Sequence, residues 1–339
     1  MVAHLGAVQS QEYPLARWSI GQRTHGLREA DVDGLLRDSR ILRTHILRPT
    51  WHFVLPADIR WMMSLSAPRL ATGMRRRMAQ LGLDGGTVAR ALDVIGEGLA
   101  GGRRLTREQI GRLLAGHGIE TDASRLAYIT AHGELELVLV SGGLDGRQQT
   151  YALLDEIAPR RAGDGLARDE AVTELVRRYF RSHGPSAIPD FTWWSSLTVG
   201  DTRAALERLG NDLTVVEVGG LEYWMDASMA DAQATDRDAR RPAVQLLQAF
   251  DEYVVGYQRT RSVLDYEGVS GGGAWNPNTF INPVVADGQV VGGWRRSVKN
   301  DVLLIETKFL RALDPKERDA LAAAAEGHAE FVGLPARLA

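Results

Sequence analysis

The sequence has no cysteine and almost no lysine. The first absence excludes disulfides, cysteine-ligated zinc, iron–sulfur clusters and a thiol nucleophile, and it fits a reducing compartment. Of 40 basic residues only Lys299, Lys308 and Lys316 are lysine. That bias reads first as the codon usage of a GC-rich genome, yet arginine also suits bidentate phosphate contacts. No apolar run approaches the roughly 18 residues of a membrane span, and the first residues lack a charged region followed by an apolar stretch. A soluble, cytoplasmic protein is expected. There is no phosphate loop, no dinucleotide fingerprint and no His-Glu-x-x-His spacing, so neither a metal nor a cofactor is expected. What is present is an ordinary globular composition, 44% hydrophobic and 24% charged over 339 residues, enough for several compact units. The net charge of −3 conceals an asymmetry. Residues 1–130 carry 18 arginines against 12 acidic residues, giving +6, and the remainder carries 22 basic against 31 acidic, giving −9. A basic front half points to a polyanionic partner.

The middle of the chain reads most clearly. Thr106-Arg-Glu-Gln109 is a capping box that opens a helix to about Ala115. Gly116-His117-Gly118 breaks it, and a second helix is expected from Asp122 to Ala131. Glu134 to Val140 alternates like a strand, Gly142 to Gly146 reads as a turn, and Gln148 to Leu154 as the returning strand. Helix, short break, helix and hairpin is the order of a winged helix-turn-helix. The order recurs over Glu170–Arg181, Ala187–Ser196, Thr198–Leu209 and a hairpin of Leu213–Val218 with Leu221–Met225. It recurs less fully at the front, over Glu12–Arg23, Glu29–Arg37, Leu42–Leu47 and Trp51–Leu55. Further on, Ala243–Tyr257 is apolar, Gly271-Gly272-Gly273 reads as a hinge, Phe280–Trp294 as a hairpin, Val302–Leu310 as a strand and Asp314–Glu326 as a helix. The expected fold is α+β: tandem winged helix-turn-helix units with a C-terminal β-rich region. The expected boundaries are 1–83, 84–160, 161–240 and 241–339.

Four clusters offer chemistry. In Gln9-Ser10-Gln11 an extended backbone would turn two neutral amides to one side, where they could orient a water or donate to a sugar or base edge. Spacing alone does not separate this from a chance Gln-x-Gln. Arg43, His45, Arg48, Thr50 and His52 fall in one short stretch, which fits either a solvated edge hairpin or a surface contacting phosphate and base. Arg75-Arg76-Arg77 is a positive run, either a solvated helix face or a phosphate contact without sequence preference. Asp251, Tyr253, Tyr257 and Arg259 interrupt an apolar segment, either as a structural polar network or as support for a site. Gly268-Val-Ser-Gly-Gly272 matches the nucleophile-elbow string but lacks a strand before it and a regular helix after it. A serine hydrolase is rejected.

Five blocks carry a resemblance: Val8-Gln-Ser-Gln-Glu-Tyr-Pro14, Arg43 to His52, Gly184-Pro185 with Asp190-Phe-Thr-Trp-Trp194, Ala249 to Tyr257, and Asp287-Gly-Gln-Val-Val-Gly-Gly-Trp294. In this order they resemble the AlkZ/YcaQ-like winged-helix DNA glycosylases over nearly the whole chain. The resemblance implies tandem winged helices forming a concave DNA-binding surface, with the first unit expected to lack its first helix because the motif begins at residue 9, and it maps the family's catalytic Gln-x-Gln or Gln-x-Asp motif onto Gln9 and Gln11. It implies a metal-independent, monofunctional glycosylase, without a cofactor, acting as a monomer on double-stranded DNA that carries alkylated bases. A winged-helix regulator, or a paralogue that has lost catalysis, is the alternative.

Overall fold

The computed structural model of the protein describes residues 1–146, 148–160, 165–229, 243–259 and 282–339. The glycine hinge at 271–273 and the elbow string at 268–272 lie outside the described residues.

The front of the chain runs α1 (Val2–Leu5), β1 (Val8–Gln9), α2 (Tyr13–Gly21), α3 (Glu29–Arg37), β2 (Leu42–His45) and β3 (Trp51–Val54). Its sheet has the order β1-β3-β2. Pro14 lies in the first turn of α2, where its missing N–H costs nothing. Ahead of β1 stands only the four-residue α1.

After α4 (Ile59–Gln80) comes α5 (Gly85–Leu99), then β4 (Leu105–Thr106), α6 (Arg107–Gly116), α7 (Ala123–Leu135), β5 (Leu139–Asp145) and β6 (Gln148–Leu153). The sheet order, β4-β6-β5, is that of the first unit. The capping box forms as expected: Thr106 Oγ1 accepts the Gln109 N–H at 3.2 Å, and Gln109 Oε1 accepts the Thr106 N–H at 2.7 Å. Two expectations are corrected here. Glu134 and Leu135 end α7 rather than begin a strand, and β5 starts only at Leu139, after Leu137 takes a φ of 58°. Gly142 to Asp145 are not a turn. They continue β5 past a bulge between Ser141 and Gly143.

Next come α8 (Leu154–Ile157), α9 (Arg168–His183), α10 (Ile188–Ser195), α11 (Val199–Leu209), β7 (Leu213–Val218) and β8 (Leu221–Asp226). An isolated bridge joins Ser186 to Trp224, so the order Ser186-β8-β7 repeats the same arrangement a third time. The short edge strands Val8–Gln9 and Leu105–Thr106 and the bridge at Ser186 thus take equivalent edge places in three winged helix-turn-helix units. Only the first puts a glutamine there.

The last region contains β9 (Val244–Leu246), α12 (Glu252–Val255), β10 (Asn282–Ala286), β11 (Gln289–Lys299), β12 (Val302–Phe309), α13 (Pro315–Val332) and β13 (Ala336–Leu338). The strands form one sheet, ordered β13-β12-β11-β10-β9. The cores do not follow chain order. One packs α4, α9 and α11 against the β2–β3 hairpin. Another packs α2 and α3 against the C-terminal sheet and α13. Only the second unit keeps an apolar core largely to itself, from Met78 to Tyr151. Chain ends are thereby drawn together: the Trp18 Nε1–H donates to the Leu246 carbonyl at 2.7 Å. No helix among the described residues is long and apolar enough to cross a membrane.

Candidate active site

Strand β1 places Gln9 opposite His52, and the pairing continues where the Ser10 N–H donates to the Trp51 carbonyl at 2.7 Å. Gln9 is only 4% exposed, whereas Gln11 is exposed. Both lean on the same end of β3. Arg48 Nη2 donates to Gln9 Oε1 at 3.0 Å, and the Trp51 N–H donates to Gln11 Oε1 at 3.3 Å. A guanidinium and a backbone N–H can only donate. The orientation of each amide is therefore set by its partner, and each oxygen keeps one lone pair.

The main chain of Gln9 is held from the far end of the sequence. Its N–H donates to Glu252 Oε1 at 2.7 Å, and its carbonyl accepts from Gln248 Nε2 at 3.0 Å. Glu252 is buried. Its other oxygen accepts the Trp194 Nε1–H at 3.0 Å and lies 3.5 Å from His183 Nε2. Burial alone would raise its pKa, but the neighbouring His183 ring and the charge of Arg48 outweigh it, leaving the value at about 2. His52 is pushed the opposite way from protonation: burial, then the Arg48 charge, lower it to about 3. It is a neutral imidazole, donating from Nδ1 to the Thr50 carbonyl at 2.9 Å. Its Nε2 is buried and without a hydrogen bond among the described residues. Gln9 thus sits between one buried cation and one buried anion, whose charges offset.

The arginines and histidines of the Arg43–His52 stretch do not form the solvent-facing surface expected of them. Arg43 is buried over the Trp51 ring, 3.6 Å from Cζ to the centroid, and donates through Nη2 to the Ser10 carbonyl at 2.8 Å and through Nη1 to Gln149 Oε1. Burial lowers its pKa to about 9, which leaves it charged at neutral pH. Arg48 and His52 are buried as described. His45 is half-buried, with Nδ1 against Glu134 Oε2 and 2.6 Å from Trp51 Nε1. Thr50 is partly exposed, but its hydroxyl is buried. The physical reason is that His52 lies on β3, the central strand of its sheet, that β5 and α7 cover β2 with Arg43 and His45, and that Arg48 turns inward to the Val255 carbonyl and Gln9. Arg75, Arg76 and Arg77 are exposed on α4.

Asp251 is fully buried and taken up by structure. Its carboxylate accepts from Ser19 Oγ at 2.8 Å, from Arg23 Nη1 at 2.9 Å and Nη2 at 2.5 Å, and from the Tyr253 N–H at 3.0 Å, tying α2 to α12. The Tyr253 hydroxyl donates to the Gly288 carbonyl, and that of Tyr257 to the His183 carbonyl, each at 3.0 Å. Burial raises the pKa of both phenols. Arg259 is exposed, and its backbone N–H donates to Asp190 Oδ1. Sequence reasoning missed Glu252 and Gln248 as partners of Gln9, and His183 and Trp194 as neighbours of Glu252. No local pattern marks them, although Glu252 and Trp194 lie inside two of the quoted blocks. No group of acidic residues and histidines able to hold a metal ion is found among the described residues.

A sequence model of the AlkZ-like DNA glycosylases matches residues 2–331. The chain is 27% identical over 313 residues to an interstrand DNA cross-link repair glycosylase of Streptomyces sahachiroi, covering 87% of this chain and 81% of that protein. It is similar in structure to the Streptomyces sahachiroi DNA glycosylase AlkZ, with a TM-score of 0.72 and 22% identity over 100% of this chain and 92% of that one. The structural likeness bears on the fold. The match to the family, across almost all of the sequence, shows that the chain belongs to the AlkZ-like DNA glycosylases.

Proposed function

We propose that this protein hydrolyses the N-glycosidic bond of alkylated purines in double-stranded DNA, with Gln9 and Gln11 acting on the water and the sugar. The observation that supports this most is the fixed orientation of the two amides, one through Arg48 and one through the Trp51 N–H. Alkylation at N7 of guanine or N3 of adenine makes the base cationic, so it departs with the bonding electrons and becomes neutral. The water oxygen adds to the anomeric carbon and its proton passes to solvent. A leaving group already activated needs no strong general acid. The remaining lone pair on each amide oxygen can hold the water and face the positive charge that develops on the sugar. A carboxylate would stabilise that charge more, so a site built on amides depends more on the leaving group.

Arg43, Arg48 and His52 act in this reading as positioning groups, and Arg75, Arg76 and Arg77 as phosphate contacts. The name of the Streptomyces sahachiroi relative supports interstrand cross-links as substrates. The test is release of N7-methylguanine from a defined duplex. Gln11→Ala, folded as the wild type, is expected to slow it about tenfold or more. If the variant releases the base at the wild-type rate, Gln11 loses its role. If the wild type binds DNA and releases nothing from a panel of N7- and N3-alkylated duplexes, a non-catalytic winged-helix protein is the better reading.

A further inference from the structure

Helix α10 carries two adjacent tryptophans with opposite surroundings. Trp194 is buried, and its indole N–H is fixed on Glu252 at 3.0 Å. That bond sets the rotation of the helix. The residue before it lies about 100° away around the axis, and Trp193 is 43% exposed. It is the one tryptophan or phenylalanine left exposed among the described residues. The helix does not need it for packing, because Ile188, Phe191 and Trp194 fill the interior side. Its ring faces the Arg48 guanidinium, with 6.0 Å between Cζ and the ring centroid. The same guanidinium reaches Gln9 Oε1 at 3.0 Å. Joined through one C–N bond, these contacts put the indole within about 10 Å of the Gln9 amide, roughly three base steps.

We propose that Trp193 is a stacking platform for a nucleobase beside the damaged nucleotide. This rests on the glycosylase reading of the same site. An indole face accepts any base, because every base has a π-face. Such recognition suits a lesion that can lie in any sequence. Arg48, already buried, lies against the indole, and its attraction to the ring helps to hold the platform in place. Stacking needs an uncovered base face. An intact duplex offers none, whereas a distorted or gapped site does.

The experiment uses the full chain and two duplexes. One contains a tetrahydrofuran abasic analogue flanked by 2-aminopurine, for affinity and fluorescence. The other contains N7-methylguanine, for single-turnover release. Trp193→Ala is expected to bind the analogue duplex about tenfold more weakly and to lose the quenching of 2-aminopurine, while Trp193→Phe keeps most of both. Binding to undamaged duplex is expected to be unaffected, and the greater part of the alanine variant's loss in release efficiency should appear in affinity. The proposal is overturned if Trp193→Ala binds and quenches as the wild type does. It is also overturned if affinity holds while the release rate at saturating enzyme falls about tenfold, because the indole would then act only by holding Arg48. A loss confined to duplexes with an aromatic adduct overturns it too, since the ring would be meeting the adduct. Affinity and quenching need no bond cleavage. Failure to release N7-methylguanine therefore counts against the glycosylase reading and leaves the platform to be judged by binding.

Discussion

The Gln9 N–H and the Glu252 carboxylate meet at 2.7 Å although 243 residues separate them in sequence. Removing the carboxylate leaves that N–H and the Trp194 indole N–H without an acceptor, in the company of a buried guanidinium. Glu252→Ala is expected to lower stability by about 3–5 kcal/mol in urea unfolding. Glu252→Gln keeps an acceptor and should cost less.

Acid should loosen the fold earlier than carboxylates alone would predict. His52 and His328 are both held to about 3, by burial and by the neighbouring Arg48 and Arg296, so the folded chain refuses protons that the unfolded chain takes up below its ordinary 6.5. Stability is therefore lost as pH falls from 6.5 toward 3, by up to about 1.4 kcal/mol per pH unit for each histidine. Glu252, at about 2 against an ordinary 4.5, adds stability that is present above 4.5 and lost below it. Urea midpoints between pH 7 and 4 check this, and His328→Phe should flatten the upper part of the curve.

Arg48 orients the Gln9 amide, and methionine at that position would fill similar space without donating. Arg48→Met is expected to slow release of N7-methylguanine about tenfold or more at saturating enzyme, with little change in affinity for undamaged duplex. Arg48→Lys, with one flexible donor in place of a planar fork, should fall between the two. Single-turnover rates and DNA titrations give the comparison.

The exposed arginines of α4 should behave as phosphate contacts do. Changing Arg75, Arg76 and Arg77 together to glutamine is expected to weaken damaged and undamaged duplex alike. It should also reduce the slope of log affinity against log salt by up to about 3. A selective loss for damaged DNA would place these residues at the lesion instead.

The capped and punctuated parts of the chain were legible. Thr106 with Gln109, Thr198 with Asp201, and Asp314 with Glu317 each start a helix where their side chains satisfy the free backbone groups. Helix α4 carries none of these signs. Pro68 interrupts its pattern, and apolar residues surround much of its first half, from Ile59 to Leu70. Around Glu134 the sequence alternates like a strand. The alternation misled because that carboxylate is drawn inward, accepting the His45 N–H at 3.0 Å, and the helix runs on to accommodate it. At the site, it was the resemblance, not the spacing, that singled out Gln9 and Gln11. Glu252, Gln248 and Trp194 could not, because only the folded arrangement brings them within reach.

The same clasp sets an order on the birth of the enzyme. Gln248 and Glu252 must have been translated before the Gln9 main chain can be clasped, so a nascent polypeptide still tethered to the ribosome carries its two amino-terminal glutamines without the supports that fix the first of them.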